Sequence, residues 1–125
     1  MPNRILKGRS AEEAAAGFLK KKGYRIIQKN YRTKLGEIDI IAKDKDTFCF
    51  IEVKSRHSDK FGSPKESITA DKQNRIAKSS LIFLKANKLF DEKSRFDVVA
   101  LSYPEGKPKI ELIKDAFDLG SHFIY

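Results

Sequence analysis

The sequence predicts an α/β fold, and three observations carry that expectation. Two segments place apolar residues at helical spacing, five shorter segments are rich in alternating or continuous Ile, Val and Phe, and the two kinds interleave as helix, three strands, helix, two strands. A length of 125 residues suits one hydrophobic core rather than two, so a single domain over 1–125 is expected.

The first helix is expected over 10–22. Ser10 with Glu13 forms a capping-box pattern, Ala11, Ala14, Ala15, Phe18 and Leu19 make an apolar stripe, lysines 20 to 22 suit the negative end of the helix dipole, and Gly23 supplies the stop. "YRIIQKNYR" at 24–32 reads as a strand. Two more strands are expected at 36–43 and 48–56, joined by the polar tetrad "DKDT". "SRHSDKFGSPKES" reads as a loop, and a second helix runs from about Thr69 to Asn87. "RFDVVAL" and "KIELI" are the last strands, around the turn "SYPEGKP", followed by an ambiguous tail.

Composition narrows the partners. At 40% hydrophobic and 34% charged residues the chain is rich enough in Ile, Leu and Phe to fold. Lys and Arg total 26 against 17 Asp and Glu, a net +9 that favours nucleic acid, although a plain solvated basic surface accounts for it as well. The lone Cys49, between Phe48 and Phe50, reads as a small buried residue and is compatible with a reducing compartment. No stretch has the length of a signal peptide's apolar core or of a membrane span, so a cytoplasmic protein without a membrane partner is expected.

The hairpin "GEIDIIAKDKDTFCFIEVKSR" carries charges inside its apolar runs. Alternation puts Ile38, Ile40 and Ala42 on one face, with Glu37, Asp39 and Ile41 on the other; Cys49, Ile51 and Val53 likewise oppose Phe50, Glu52 and Lys54. With 44–47 as the loop, Ala42 lies opposite Cys49, Asp39 opposite Glu52, and Glu37 opposite Lys54. Cross-strand β-carbons sit about 4.5–5.5 Å apart, where two carboxylates repel unless a cation or proton intervenes. A hairpin with one solvated face explains such charges too. Against that, Ile41 and Phe50 on the charged face imply that it is covered. Two carboxylates beside a lysine are the parts needed to hold Mg²⁺ against a phosphodiester.

Asp39, followed after twelve residues by "EVK" at 52–54, resembles the PD-(D/E)XK nuclease signature. Together with "AEEAAAGFLKKKGYRIIQKNYR", "GEIDII", "FIEVKSR", "FGSPKESI", "KQNRI" and "RFDVVAL", in order over most of the chain, it is similar to the YraN-like family of bacterial predicted endonucleases. The resemblance implies a restriction-endonuclease-like three-layer core, with a mixed central sheet of about five strands flanked by helices. It also implies Mg²⁺ (or Mn²⁺) bound by Asp39 and Glu52, Lys54 assisting the attacking water, and a place in DNA repair or recombination. Junction-resolving relatives add a glutamate from the first helix, which falls on Glu12; the family usually has glycine just before it, where this chain has Ala11. Such relatives work as dimers, and a homodimer stays open here.

Glu12 also fits a dipole role in a first helical turn. Lys72 and Gln73, in the first turn of the second helix, are candidates to meet a phosphate or else a solvated surface pair. Arg25, Lys29, Arg32, Lys34, Arg56 and Lys60 are candidates for phosphate contact, and Tyr31 for stacking on an unpaired base; any of them also suits a solvated surface. Glu37 is expected to pair with Lys54 or another base. His57 and His122 lack ligands at zinc spacing and read as surface residues. The expected function is a metal-dependent endonuclease, DNA before RNA. A non-catalytic nucleic-acid-binding accessory module on the same fold is the alternative, and a structural protein whose acidic hairpin pairs with its own lysines is a third.

Overall fold

A computed structural model describes residues 4–56, 68–103 and 109–117, with side chains described from Ser10 onward and that of Arg56 excepted. The element order is α1 (Arg4–Lys21), β1 (Arg25–Thr33), β2 (Gly36–Asp44), β3 (Thr47–Arg56), α2 (Ala70–Ala86), β4 (Lys93–Ser102) and β5 (Lys109–Ile113). The five strands form one mixed sheet in the order β1-β2-β3-β4-β5. β3 and β4 are parallel, with α2 in the connection between them, and the remaining pairs are antiparallel. This is the expected α/β architecture. The 57–67 loop, most of the "SYPEGKP" turn, most of the tail, Lys60, His57 and His122 lie outside the described residues.

Each sheet face carries its own core. Ala11, Ala15, Ala16 and Leu19 of α1 pack against Ile40, Ala42, Cys49, Ile51, Val99 and Leu101. On the opposite face Ile76, Ala77, Phe83 and Leu84 of α2 pack against Ile41, Phe48, Phe50 and Phe96. The charged face of the hairpin is therefore covered, as Ile41 and Phe50 imply. Cys49 is fully buried, and burial followed by the charge of Asp97 pushes its thiol up to about 12, in keeping with an inert packing residue.

The first helix differs from its expectation at the start. It begins at Arg4, so Ser10 lies inside it and caps nothing. The preceding "RILKGR" consists mostly of good helix formers, and one glycine costs only about 1 kcal/mol, too little to stop the helix there. Within the stripe Ala14 is exposed and Ala16 is buried in its place. The end is as expected: Gly23 takes φ 96°, its N–H bonds the Lys20 carbonyl, and the Tyr24 N–H bonds the Leu19 carbonyl.

The second helix is bounded by the two residues that sequence picks out. Thr69 is its N-cap, with Oγ1 accepting the Lys72 N–H at 3.1 Å, and Asn87 closes it on the Phe83 carbonyl. The β2–β3 loop is tighter than the tetrad suggests. Asp44 and Thr47 already pair, leaving Lys45 and Asp46 as a two-residue turn with Lys45 at φ 56°.

One side chain breaks the expected alternation. Ile38 joins Ile41 on the α2 face, whereas Ile40 and Ala42 face α1. The break lies opposite Asn30, which adopts a left-handed backbone at φ 55°, and beside the point where β2 leaves β3.

Candidate active site

The site forms where the two middle strands part. The β2–β3 ladder runs back from Asp44–Thr47 through Ala42–Cys49 to Ile40–Ile51 and ends one residue short of Asp39. There the Asp39 side chain takes over from backbone: Oδ2 accepts the Val53 N–H at 2.8 Å. Asp39 and Glu52 line one cleft of about 380 Å³, closed on its other side by Thr69, Asp71, Lys72 and Arg75 at the start of α2.

Its electrostatics are uneven. Glu52 is only 4% exposed and is salt-bridged by the Lys72 ammonium, with Lys54 Nζ 4.0 Å from the same oxygen. Asp39 has the Val53 N–H and a more distant attraction to Lys72. Burial, reinforced by the negative charge of Glu52, raises the Asp39 carboxyl to about 7 despite both. Lys54 is pulled down by its own burial and then by the Lys72 charge. For Lys72, burial opposes the charge, yet the hydrogen bond and charge of Glu52 prevail and raise it.

Glu12 stands close by without joining the pair. It is half-buried and lines an adjoining cleft with Glu13, Lys29 and Asn30. Burial raises its carboxyl, a hydrogen bond from Asn30 opposes this, and Glu37 and Glu52 push it further up. Because α1 starts at Arg4, Glu12 is in the third turn, beyond the reach of the dipole explanation. Proximity to the carboxylate pair is what distinguishes it.

The other candidates divide. Lys72 is in the site, but it meets Glu52. Gln73 donates from Nε2 to the Ile68 carbonyl at 3.1 Å and so holds the entry to α2. Tyr31 packs edge-on against Phe83, with ring centroids 5.5 Å apart, which engages the ring proposed for base stacking in the α2-side core. Arg32 is exposed and pairs with Glu37 across the β1–β2 ladder at 3.6 Å. Glu37 therefore does not face Lys54, because β2 has separated from β3 before reaching it. Arg25 and Lys29 are exposed on β1, Lys34 is exposed in the β1–β2 turn, and Arg56 ends β3 opposite Ser102. Sequence reasoning passed over Asp71 and Arg75; their i, i+4 spacing, in register with the Thr69 cap, is the signal that places both on one face of α2.

The donor set can be tested against a cation. Among the described residues no three acidic, histidine or cysteine side chains converge as a cage. Magnesium and manganese need less, since one or two carboxylates suffice when waters and substrate oxygens complete the shell. Two crowded carboxylates, one of them held near neutrality for lack of compensation, fit such an ion. Asp39 and Glu52 would hold it, with Glu12 near enough to add to the negative charge felt by both.

The fold and cleft together define a mixed-sheet α/β protein with an acidic pair and two lysines at the point where its central hairpin splays. The chain belongs to the family described as Uncharacterised protein family UPF0102, which matches residues 11–101. A UPF0102 protein of Syntrophus aciditrophicus is 52% identical over 120 residues, covering 95% of this chain and 94% of the relative. Another, from Desulfosudis oleivorans, is 50% identical over 111 residues and 89% of each chain. A solved structure, "Crystal structure of SSO0001", aligns with 94% of this chain and 55% of its own at 19% identity and a TM-score of 0.44, too distant to bear on the site. Among the described residues no helix is long and apolar enough to cross a membrane.

Proposed function

We propose that the protein is a divalent-metal-dependent endonuclease that hydrolyses phosphodiester bonds, in DNA before RNA. The observation that carries this reading is the Asp39–Glu52 pair: two carboxylates in one cleft, with Asp39 raised to about 7 and Lys54 lowered beside them. Bound between the two carboxylates, Mg²⁺ or Mn²⁺ would polarise the phosphodiester and make a water ligand more nucleophilic.

The protein's own residues supply the rest. Asp39 is aimed by the Val53 N–H and, in its ionised form, would be one of the two ligands. Glu52 is held rigid in the sheet between Ile51 and Val53, each paired to β4. Lys54, half-buried and eased toward its neutral form, can orient the attacking water or steady charge on the phosphate. Lys72 serves as counter-ion to Glu52 until substrate phosphate or metal competes for it.

One observation favours the accessory-module reading: the Lys72–Glu52 ion pair partly neutralises the site without a metal. Incubation with plasmid, single-stranded and branched DNA and with RNA, in Mg²⁺, Mn²⁺ or EDTA, beside Asp39→Ala, separates the two. Cleavage lost both in EDTA and in the variant supports the nuclease. Binding without cleavage on every substrate supports the accessory module, and cleavage that survives either treatment contradicts the proposed mechanism.

A further inference from the structure

Beside the acidic cleft lies a second one, of about 470 Å³, lined by Thr33, Lys34, Leu35, Gly36, Asp71, Asn74, Arg75 and Lys78. The two clefts share Gly36, Asp71 and Arg75, so one runs into the other. We propose that this second groove is a nucleic-acid backbone subsite, taking a phosphate of one strand next to the phosphate held at Asp39 and Glu52. The proposal rests on the nuclease reading for its direction and on the groove itself for its ligand.

The groove is built rather than incidental. Asp71, Asn74, Arg75 and Lys78 follow i, i+3, i+4 and i+7 spacing and form one wall along a single face of α2. The other wall is the β1–β2 turn, which is fastened to the helix. Thr33 Oγ1 accepts the Leu35 and Gly36 N–H groups at 3.0 and 3.1 Å and is hydrogen-bonded to Ser79 Oγ at 2.9 Å. Gly36 permits the close approach: a Cβ there would come 3.1 Å from Arg75 Cβ. Lys34 and Leu35 thus project from a fixed platform.

Its charge suits an anion, in contrast to the carboxylates next door. Lys34, Arg75 and Lys78 supply three positive charges, against Asp71, which pairs with Arg75 at 3.1 Å. The Asp71–Arg75 contact leaves Arg75 64% exposed and within reach of a second acceptor. Leu35, 46% exposed at the tip of the turn, offers an apolar contact that a free phosphate does not need but a sugar or an unpaired base can use. Phosphate contacts of this kind position a strand without reading its sequence.

The test is binding of fluorescent oligonucleotides about twenty nucleotides long, single-stranded DNA and RNA in parallel, to the whole protein in EDTA across a salt series. Lys34→Gln, Arg75→Gln and Lys78→Gln together are expected to weaken binding at least about tenfold and to flatten the salt slope by about 0.7, the contribution of one phosphate contact on a single strand. Leu35→Ser is expected to weaken binding several-fold with the slope unchanged. A matched triple variant at the exposed Lys20, Lys21 and Lys88 should keep the wild-type slope. The DNA and RNA arms identify which polymer the groove prefers. Equal losses in both triple variants, or wild-type binding by the groove variant, would overturn the subsite. Wild-type binding by the groove variant with cleavage still lost in Asp39→Ala overturns the groove alone and leaves the nuclease reading intact.

Discussion

Two carboxylates, Asp39 and Asp97, enter the same sheet from neighbouring regions and meet opposite treatment. Asp97 is fully buried, yet it accepts from Arg95 Nε at 2.9 and 3.2 Å, from the Asp115 N–H at 2.9 Å and from the Tyr24 hydroxyl at 3.3 Å. Arg95 extends the network, donating to Asp44 at 2.8 Å and to the Tyr24 oxygen at 2.7 Å. Burial works against the Arg95 charge, but the hydrogen bonds to Asp97 and Asp44 outweigh it and raise the guanidinium further. Asp39 is less deeply placed but receives one backbone N–H and faces Glu52. Depth of burial is therefore a poor guide to function here. The compensation a charge receives separates a carboxylate tied into the fold by several donors from one left short of partners beside a second carboxylate.

Breaking the compensated site should have the larger effect on folding. Arg95→Ala leaves Asp97 buried without its main partner and is expected to destabilise by about 3–5 kcal/mol, read as a lower midpoint in urea. Asp39→Asn should act in the opposite direction. Between about pH 4 and pH 7 the folded protein keeps a proton on Asp39 that the unfolded chain has released, so the wild type loses stability as pH rises through that window. The variant removes this penalty. It should exceed the wild type by on the order of 1–3 kcal/mol at pH 8 and by nothing measurable below pH 4, in paired melts without metal.

Smaller effects sharpen the same contrast. Lys72→Gln frees Glu52 from its resident counter-ion and should tighten Mn²⁺ binding about three- to tenfold, measured by titration calorimetry. If Lys72 instead supports the site only through packing, the affinity will not rise. Arg32→Ala removes an ion pair with Glu37 whose arginine is 79% exposed, and the melting curve should shift by less than about 0.5 kcal/mol.

Much of this was legible in the sequence, for identifiable reasons. Thr69 and Asn87 mark α2 because capping chemistry is local, and the Ala42–Cys49 register follows from the period of a strand. The covered charged face followed from Ile41 and Phe50, and the meeting of Asp39 and Glu52 from the hairpin register. Ser10 and Glu13 misled because a capping pattern is not binding when the preceding residues also favour helix. The Asp97 network was invisible, since Tyr24 and Asp97 lie 73 residues apart and "RFDVVAL" reads simply as a strand. The edge contact of Tyr31 with Phe83 was invisible for the same reason, since only the packing of α2 reveals it.

The central claim is that the shortfall around Asp39 makes a cation site, and Mn²⁺ binding followed by electron paramagnetic resonance from pH 5.5 to 8.5 tests it most directly. One ion should bind, with affinity rising about tenfold per pH unit below 7 and levelling above it as Asp39 loses its proton unaided, and binding should vanish in Asp39→Asn and Glu52→Gln. Mn²⁺ binding that is absent in the wild type, or indifferent to pH and to both substitutions, would contradict the account.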